Sequence, residues 1–154
     1  MVKLGDMVKD KITGFEGLTL EKSEYLNGCI QFEVQPRIDK EGKIPESSHI
    51  DEQQLEVIKM ADSNLVFIPI DSDPAITLGD DVKDSLLGFE GIAMSRSTSV
   101  SGYVQYDVQP KRDKDGKLPD SAYVSARHLK IINKKESEEV ESTGGGKRNH
   151  PKRR

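Results

Sequence analysis

The string LGDMVKDKITGFEG, from Leu4 to Gly17, returns 74 positions later as LGDDVKDSLLGFEG, from Leu78 to Gly91. Self-similarity at a fixed offset means that one supersecondary unit is present twice, and every other reading has to accommodate it. The match continues without a gap. Val8 aligns with Val82, Leu18 with Ile92, Leu20 with Met94, Ile30 with Val104, Phe32 with Tyr106 and Val34 with Val108. Gln35-Pro36 aligns with Gln109-Pro110, Gly42 with Gly116, Leu55 with Leu129 and Ile58 with Ile132. These apolar positions keep their class and the turn glycines keep their places. Outward positions drift, as Glu21 to Ser95 and Glu33 to Asp107 illustrate. Two copies of one core under two different surfaces explain this pattern.

Within a copy, short β segments are expected at Val2 to Leu4 and Met7 to Lys9, with Gly5-Asp6 as the turn between them. From Phe15 to Ser23 a period of two puts Leu18 and Leu20 on the inward face and Thr19 and Glu21 on the other. Asn27-Gly28 in Tyr25-Leu26-Asn27-Gly28 signals a hairpin. The returning strand, Cys29 to Gln35, aligns Ile30, Phe32 and Val34 on one face, and Pro36 ends its ladder. A charged loop from Arg37 to Ser48, a helical or 3₁₀ turn at Asp51-Glu52-Gln53-Gln54 and a strand at Leu55 to Ile58 complete the unit. Five short strands in this order suit a small SH3-like barrel. The Gly-Asp turn, the valine and Gly-x-x-Gly-Leu also resemble the KOW variety of that barrel. The expectation is therefore all-β: two tandem SH3-like barrels at 1–59 and 77–133, a connecting segment at 60–76 and a tail at 134–154. The apolar run Leu65-Val66-Phe67-Ile68-Pro69-Ile70 is expected to add a strand or to pack between the barrels, fixing their orientation.

Composition narrows the function classes. Hydrophobic residues make up 34% of the chain and charged residues 32%, with no tryptophan, so a small aliphatic core must carry the burial. The net charge is −4, but residues 147–154 hold Lys147, Arg148, Lys152, Arg153 and Arg154 and no acid, which leaves −9 on the rest. An acidic body opposes broad contact with phosphates and leaves nucleic acid to the basic tail alone. Cys29 is the single cysteine, so no intrachain disulfide can form. No apolar run reaches the roughly 20 residues that span a bilayer. The opening MVKLGDMVKD lacks the apolar core of a signal peptide, and a soluble protein made in the cytoplasm is expected.

No group of residues carries a catalytic signature. Gly14, Gly17, Gly88 and Gly91 would fit a ligand-approaching loop, but positive-φ turn geometry is the favoured reading for all four. Asp6, Asp10 and Glu16, with their counterparts Asp80, Asp84 and Glu90, would suit a metal or an acid–base pair; turn capping and solvation are favoured. Cys29 aligns with Tyr103, so the unit needs no thiol there, and His49, His128 and His150 lack zinc-ligand spacing. Tyr25, Leu26 and Asn27 at the hairpin, near Phe32, and the basic residues of 147–154 are the candidate partner-binding positions. No cofactor and no metal are expected.

The residues GFEG, Tyr25-Leu26-Asn27-Gly28-Cys29, Val34-Gln35-Pro36 and Asp51-Glu52-Gln53-Gln54-Leu55-Glu56 resemble a family of small proteins encoded by tailed bacteriophages and prophages, some of them virion structural proteins. The resemblance covers most of the first copy and is weaker in the second, which lacks YLNGC and DEQQLE. It implies a non-enzymatic structural protein located in the virion and made in the host cytoplasm, such as a capsid decoration or cement protein. Its partners would be the major capsid protein, other virion subunits or itself. Two alternatives are a KOW-like nucleic-acid-binding module and a phage-encoded inhibitor or nucleotide sponge with a pocket at the barrel junction.

Overall fold

The structure, a computed structural model, describes residues 1–62 and 75–136. The expectations placed on the run 65–70 and on the basic residues 147–154 lie outside these. The described chain is all-β. The first half forms β1 (Met7–Asp10), β2 (Glu16–Tyr25), β3 (Ile30–Gln35), β4 (Ser48–Asp51) and β5 (Leu55–Lys59), with a 3₁₀ turn at Glu52–Gln54 between the last two. The second half forms β6 (Asp81–Asp84), β7 (Glu90–Ser99), β8 (Val104–Gln109), β9 (Ala122–Ser125) and β10 (Leu129–Asn133), with its 3₁₀ turn at Ala126–His128. Every element of the second half lies 74 residues after its counterpart.

The registers repeat as well. β1 pairs antiparallel with β2 and β5, β2 with β3, and β3 with β4. β6 pairs with β7 and β10, β7 with β8, and β8 with β9. Each half packs around its own core. Val8, Phe32, Val34, Ile50 and Leu55 are buried in the first; Val82, Tyr106, Val108, Val124 and Leu129 take the same positions in the second.

Three expectations change. The fifth strand of each half is not Val2 to Leu4, which packs its valine into the core without strand pairing, but β4. That strand has a single inward apolar residue, Ile50, too little for a visible alternation. The period of two in β2 is correct, but its faces are inverted. Thr19 is fully buried, as is Ala93 in β7, whereas Leu18, Leu20, Ile92 and Met94 are half-buried. The register shifts between Thr19 and Glu21 against β3, and between Ala93 and Ser95 against β8, where the alternation is set locally. Thr19 satisfies its hydroxyl there by donating to the carbonyl of Lys3 (2.7 Å). Ile58 and Ile132, expected inward, stay half exposed on β5 and β10.

The GFEG motif now divides by residue. Gly14 and Gly88 adopt φ of 77° and 75°, as turn geometry requires. Gly17 and Gly91 are not in the positive-φ region; each is held to glycine by close approach. A Cβ on Gly17 would lie 2.5 Å from the carbonyl carbon of Gln35. Phe15 packs on the core, and Glu16 pairs with Lys9 at 2.8 Å on the surface. All four residues of the motif have structural work that explains their repetition.

The halves meet through β2 and β7, which pair antiparallel from Glu21↔Ser99 to Tyr25↔Ser95. Ser23 faces Ser97, its own counterpart in the repeat, with the two Oγ atoms 3.1 Å apart and both residues buried. The N–H of Leu26 donates to the carbonyl of Met94 (2.8 Å), and its counterpart Val100 donates to Leu20 (2.7 Å). Interchanging the halves leaves this set of contacts unchanged. It is the self-complementary pattern of a two-fold dimer interface, here within one chain. The result is a continuous run of six strands, β4-β3-β2-β7-β8-β9, inside a ten-stranded sheet.

Candidate functional site

Each half has a groove between the loop after its first strand and its fourth strand. In the first half it is lined by Asp10, Thr13, Phe15, Gln31, His49, Asp51 and Gln54 and encloses about 490 Å³. In the second it encloses about 580 Å³ between the loop 85–89 and β9, with Tyr103 on the hairpin side and His128 on the 3₁₀ turn. The position is the same and the chemistry is not. Ile12 is matched by Leu86, Thr13 by Leu87, Cys29 by Tyr103 and His49 by Tyr123. In the second groove Leu87 is 88% exposed, Leu86 68%, Tyr123 61% and Tyr103 46%. Four large apolar or aromatic side chains thus meet water on one small surface, whereas scattered single ones are the ordinary case.

The loop that presents the leucines is built by a buried carboxylate. Asp84 accepts from the N–H of Leu86 (2.9 Å) and of Leu87 (3.3 Å), and the N–H of Gly88 closes the turn on the Asp84 carbonyl (2.9 Å). Asp10 does the same for Ile12 and Thr13 and also accepts from the Thr13 hydroxyl. The Thr13 hydroxyl, followed by the N–H of Ile12, holds the Asp10 carboxyl below its ordinary pKa. Tyr123 sits on the rim that faces the first half. Burial, then Asp107, Tyr25 and Glu21, push its hydroxyl pKa up, so it stays a neutral donor.

Asp6 and Asp80 have a different task. Asp80 accepts from the N–H of Thr77 (2.9 Å) and of Lys135 (2.7 Å), and Lys134 reaches it at 3.4 Å. Asp6 accepts from Lys3 (2.9 Å) and Ala61 (2.8 Å). Each carboxylate ties the entry of its half to the residue just past its last strand. Glu90, the counterpart of Glu16, pairs with Lys83 at 2.5 Å on the surface.

The hairpin residues read as partner-binding lie at the junction. Tyr25 pairs with Ser95 of the second half and donates to Gln31 (3.3 Å). Leu26 is hydrogen-bonded to Met94 and lies beside Gly79. Asn27 accepts from the N–H of Cys29 (2.9 Å) at the exposed tip, where Gly28 takes φ of 85°. Phe32 is a core residue. The Cys29 thiol is pushed up by burial and then by Asp51, 3.7 Å away, which keeps it protonated and a poor nucleophile. The second-half groove escaped the sequence reading. Its signal was present where polar Thr13 and His49 give way to Leu87 and Tyr123, opposite to the usual drift of a solvated face. Comparison with family models, curated proteins and solved structures finds no match to this chain.

Proposed function

We propose that the chain is a non-enzymatic accessory protein of a tailed-phage particle, which docks on protein subunits through the apolar groove of its second half. The observation that carries this reading is the divergence of the two grooves on otherwise matching halves. One retains polar side chains; the other gathers Leu86, Leu87, Tyr103 and Tyr123. Strand order β5-β1-β2-β3-β4, with a 3₁₀ turn before β5, supports an SH3-like barrel in the first half, and the matching registers support a duplicated unit. The virion setting rests on the resemblance of the first half to phage proteins. Glu21, Glu33 and Asp107 on the same sheet oppose phosphate contact and favour a protein partner over nucleic acid. The basic residues of 147–154 would add salt-sensitive contacts to a neighbouring acidic subunit.

Particles purified from the phage that encodes the chain are expected to contain it by mass spectrometry. Particles carrying Leu87→Asp are expected to lose it, while Ile12→Asp, at an exposed position of the matching first-half loop, leaves it in place. Its absence from wild-type particles would refute the virion reading.

A further inference from the structure

We infer that the basic residues 147–154 dock on the chain's own sheet, on the polar face that runs from β4 across β2 and β7 to β9. The inference is independent of the apolar groove and of the virion setting.

Register defines this face, because residues directly opposite on paired strands place their side chains on the same side. Glu21 and Ser23 of β2 lie opposite Glu33 and Gln31 of β3, and Gln31 lies opposite Asp51 of β4. Tyr25 lies opposite Ser95 of β7, Ser95 opposite Asp107 of β8, and Asp107 opposite Tyr123 of β9. The carboxylates of Glu21, Glu33, Asp51 and Asp107 therefore share one side, and the strands bring it no lysine or arginine. Lys22, opposite the core residue Phe32, and Arg96, opposite the core residue Tyr106, belong to the other side. Arg127 stands at the border, on the turn past β9.

Two features fit the face to cations. Glu21 and Glu33 are a direct cross-strand pair of like charges, which is destabilising by itself. The hydroxyls of Ser97 (2.8 Å) and Ser47 (2.6 Å) donate to them but leave both charges in place. The face is also a trough. In a flat sheet β9 would lie three strand spacings, about 14 Å, from β2. Yet after burial and Asp107, it is Tyr25 and Glu21 of β2 that raise the pKa of the Tyr123 hydroxyl. Ser23 and Ser97 are buried on the floor of this trough, and the rings of Tyr25 and Tyr123 offer π faces to lysine or arginine.

Charge and reach name the occupant. The chain carries −4, of which residues 147–154 contribute +5 and the remainder −9. The last described residues lead to the junction of β2 and β7. The N–H of Lys135 is held by Asp80 (2.7 Å), and its side chain lies with that of Leu26 beside Gly79. Leu26 directly follows Tyr25. Residues 137–146 span at most about 33 Å when extended. Either margin of the face lies two strands, about 10 Å, from the junction. Glu138, Glu139 and Glu141 have the wrong sign for this face, so the fit falls to the last eight residues. Charge-assisted hydrogen bonds from them would offset the repulsion between Glu21 and Glu33.

Amide chemical shifts of the full chain test this, compared with a variant carrying Lys147→Gln, Arg148→Gln, Lys152→Gln, Arg153→Gln and Arg154→Gln. At low salt the amides of Glu21, Ser23, Gln31, Glu33, Ser97 and Asp107 are expected to differ between the two proteins. The difference should vanish near 1 M salt, where the screening length falls to about 3 Å, and should not depend on protein concentration. Adding Glu21→Gln and Glu33→Gln to both proteins is expected to abolish it, while the core amides of Val8 and Val82 report an intact fold. Identical shifts on this face at low salt would overturn the inference. So would differences that grow with protein concentration, which would place the basic residues on another copy.

Discussion

Gly91→Ala is expected to destabilise the chain by about 3 kcal/mol, near the upper end for overpacking at a site that cannot relax. The added Cβ would press against the Gln109 carbonyl, 2.6 Å from its carbon and 2.8 Å from the nitrogen of Pro110. All of these are backbone atoms, so no side chain can rotate away. Gln109 itself is pinned, because its side-chain amide donates to the carbonyls of Pro110 (3.2 Å) and Pro119 (2.6 Å). Gly17→Ala should behave alike against Gln35, whose amide holds Pro36 and Pro45. Gly88→Ala is the control. Its Cβ would meet open space, and only the positive φ penalises it, at about 1 kcal/mol. Urea unfolding separates the two, and equal losses for Gly88→Ala and Gly91→Ala would contradict the close-approach account.

Asp80→Ala is expected to cost about 2 kcal/mol, because it removes the buried carboxylate that accepts from the N–H groups of Thr77 and Lys135, at roughly 1 kcal/mol for each hydrogen bond that water replaces. Asp80→Asn, which keeps an acceptor, should lose less. Burial would raise the Asp80 pKa, but the N–H groups of Lys135 and Thr77, then Lys134, outweigh it and leave the carboxyl below its ordinary value of 3.8. The group therefore stabilises the fold fully above that value, and its contribution disappears as pH falls through the lower folded one. Stability of the wild type should decline in acid below about pH 4, and Asp80→Ala should flatten that decline. An acid profile identical in wild type and variant would show that Asp80 is not the group responsible.

Much of the fold was legible because its signals were local. The offset of 74, the positive-φ glycines and the alternation of Ile30, Phe32 and Val34 each follow from one stretch of sequence. The misses were non-local. Hydrophobicity placed Leu18 and Leu20 inward, but the buried positions are Gly17, which the Gln35 backbone approaches too closely for a side chain, and Thr19. β4 has one apolar residue facing the core and fell between the charged loop and the expected 3₁₀ turn. The β2–β7 junction uses serines and backbone, which look the same in any solvated strand. Leu86, Leu87 and Tyr123 form a patch only once β9 lies beside the loop 85–89. Asp10 and Asp84 were correctly read as turn-capping, since a carboxylate that caps the N–H groups two and three residues ahead announces itself in sequence.

The pairing of β2 with β7 about Ser23 and Ser97, which joins two halves of matching strand order, underlies all of this, and solution NMR tests it directly. The bonds from Leu26 to Met94 and from Val100 to Leu20 make 21↔99, 23↔97 and 25↔95 the non-hydrogen-bonded pairs, whose Hα atoms approach closely. Hα–Hα Overhauser contacts are therefore predicted for Glu21–Ser99, Ser23–Ser97 and Tyr25–Ser95 in the full chain. Their absence, with the contacts within each half intact, would mean that the two halves do not share a sheet.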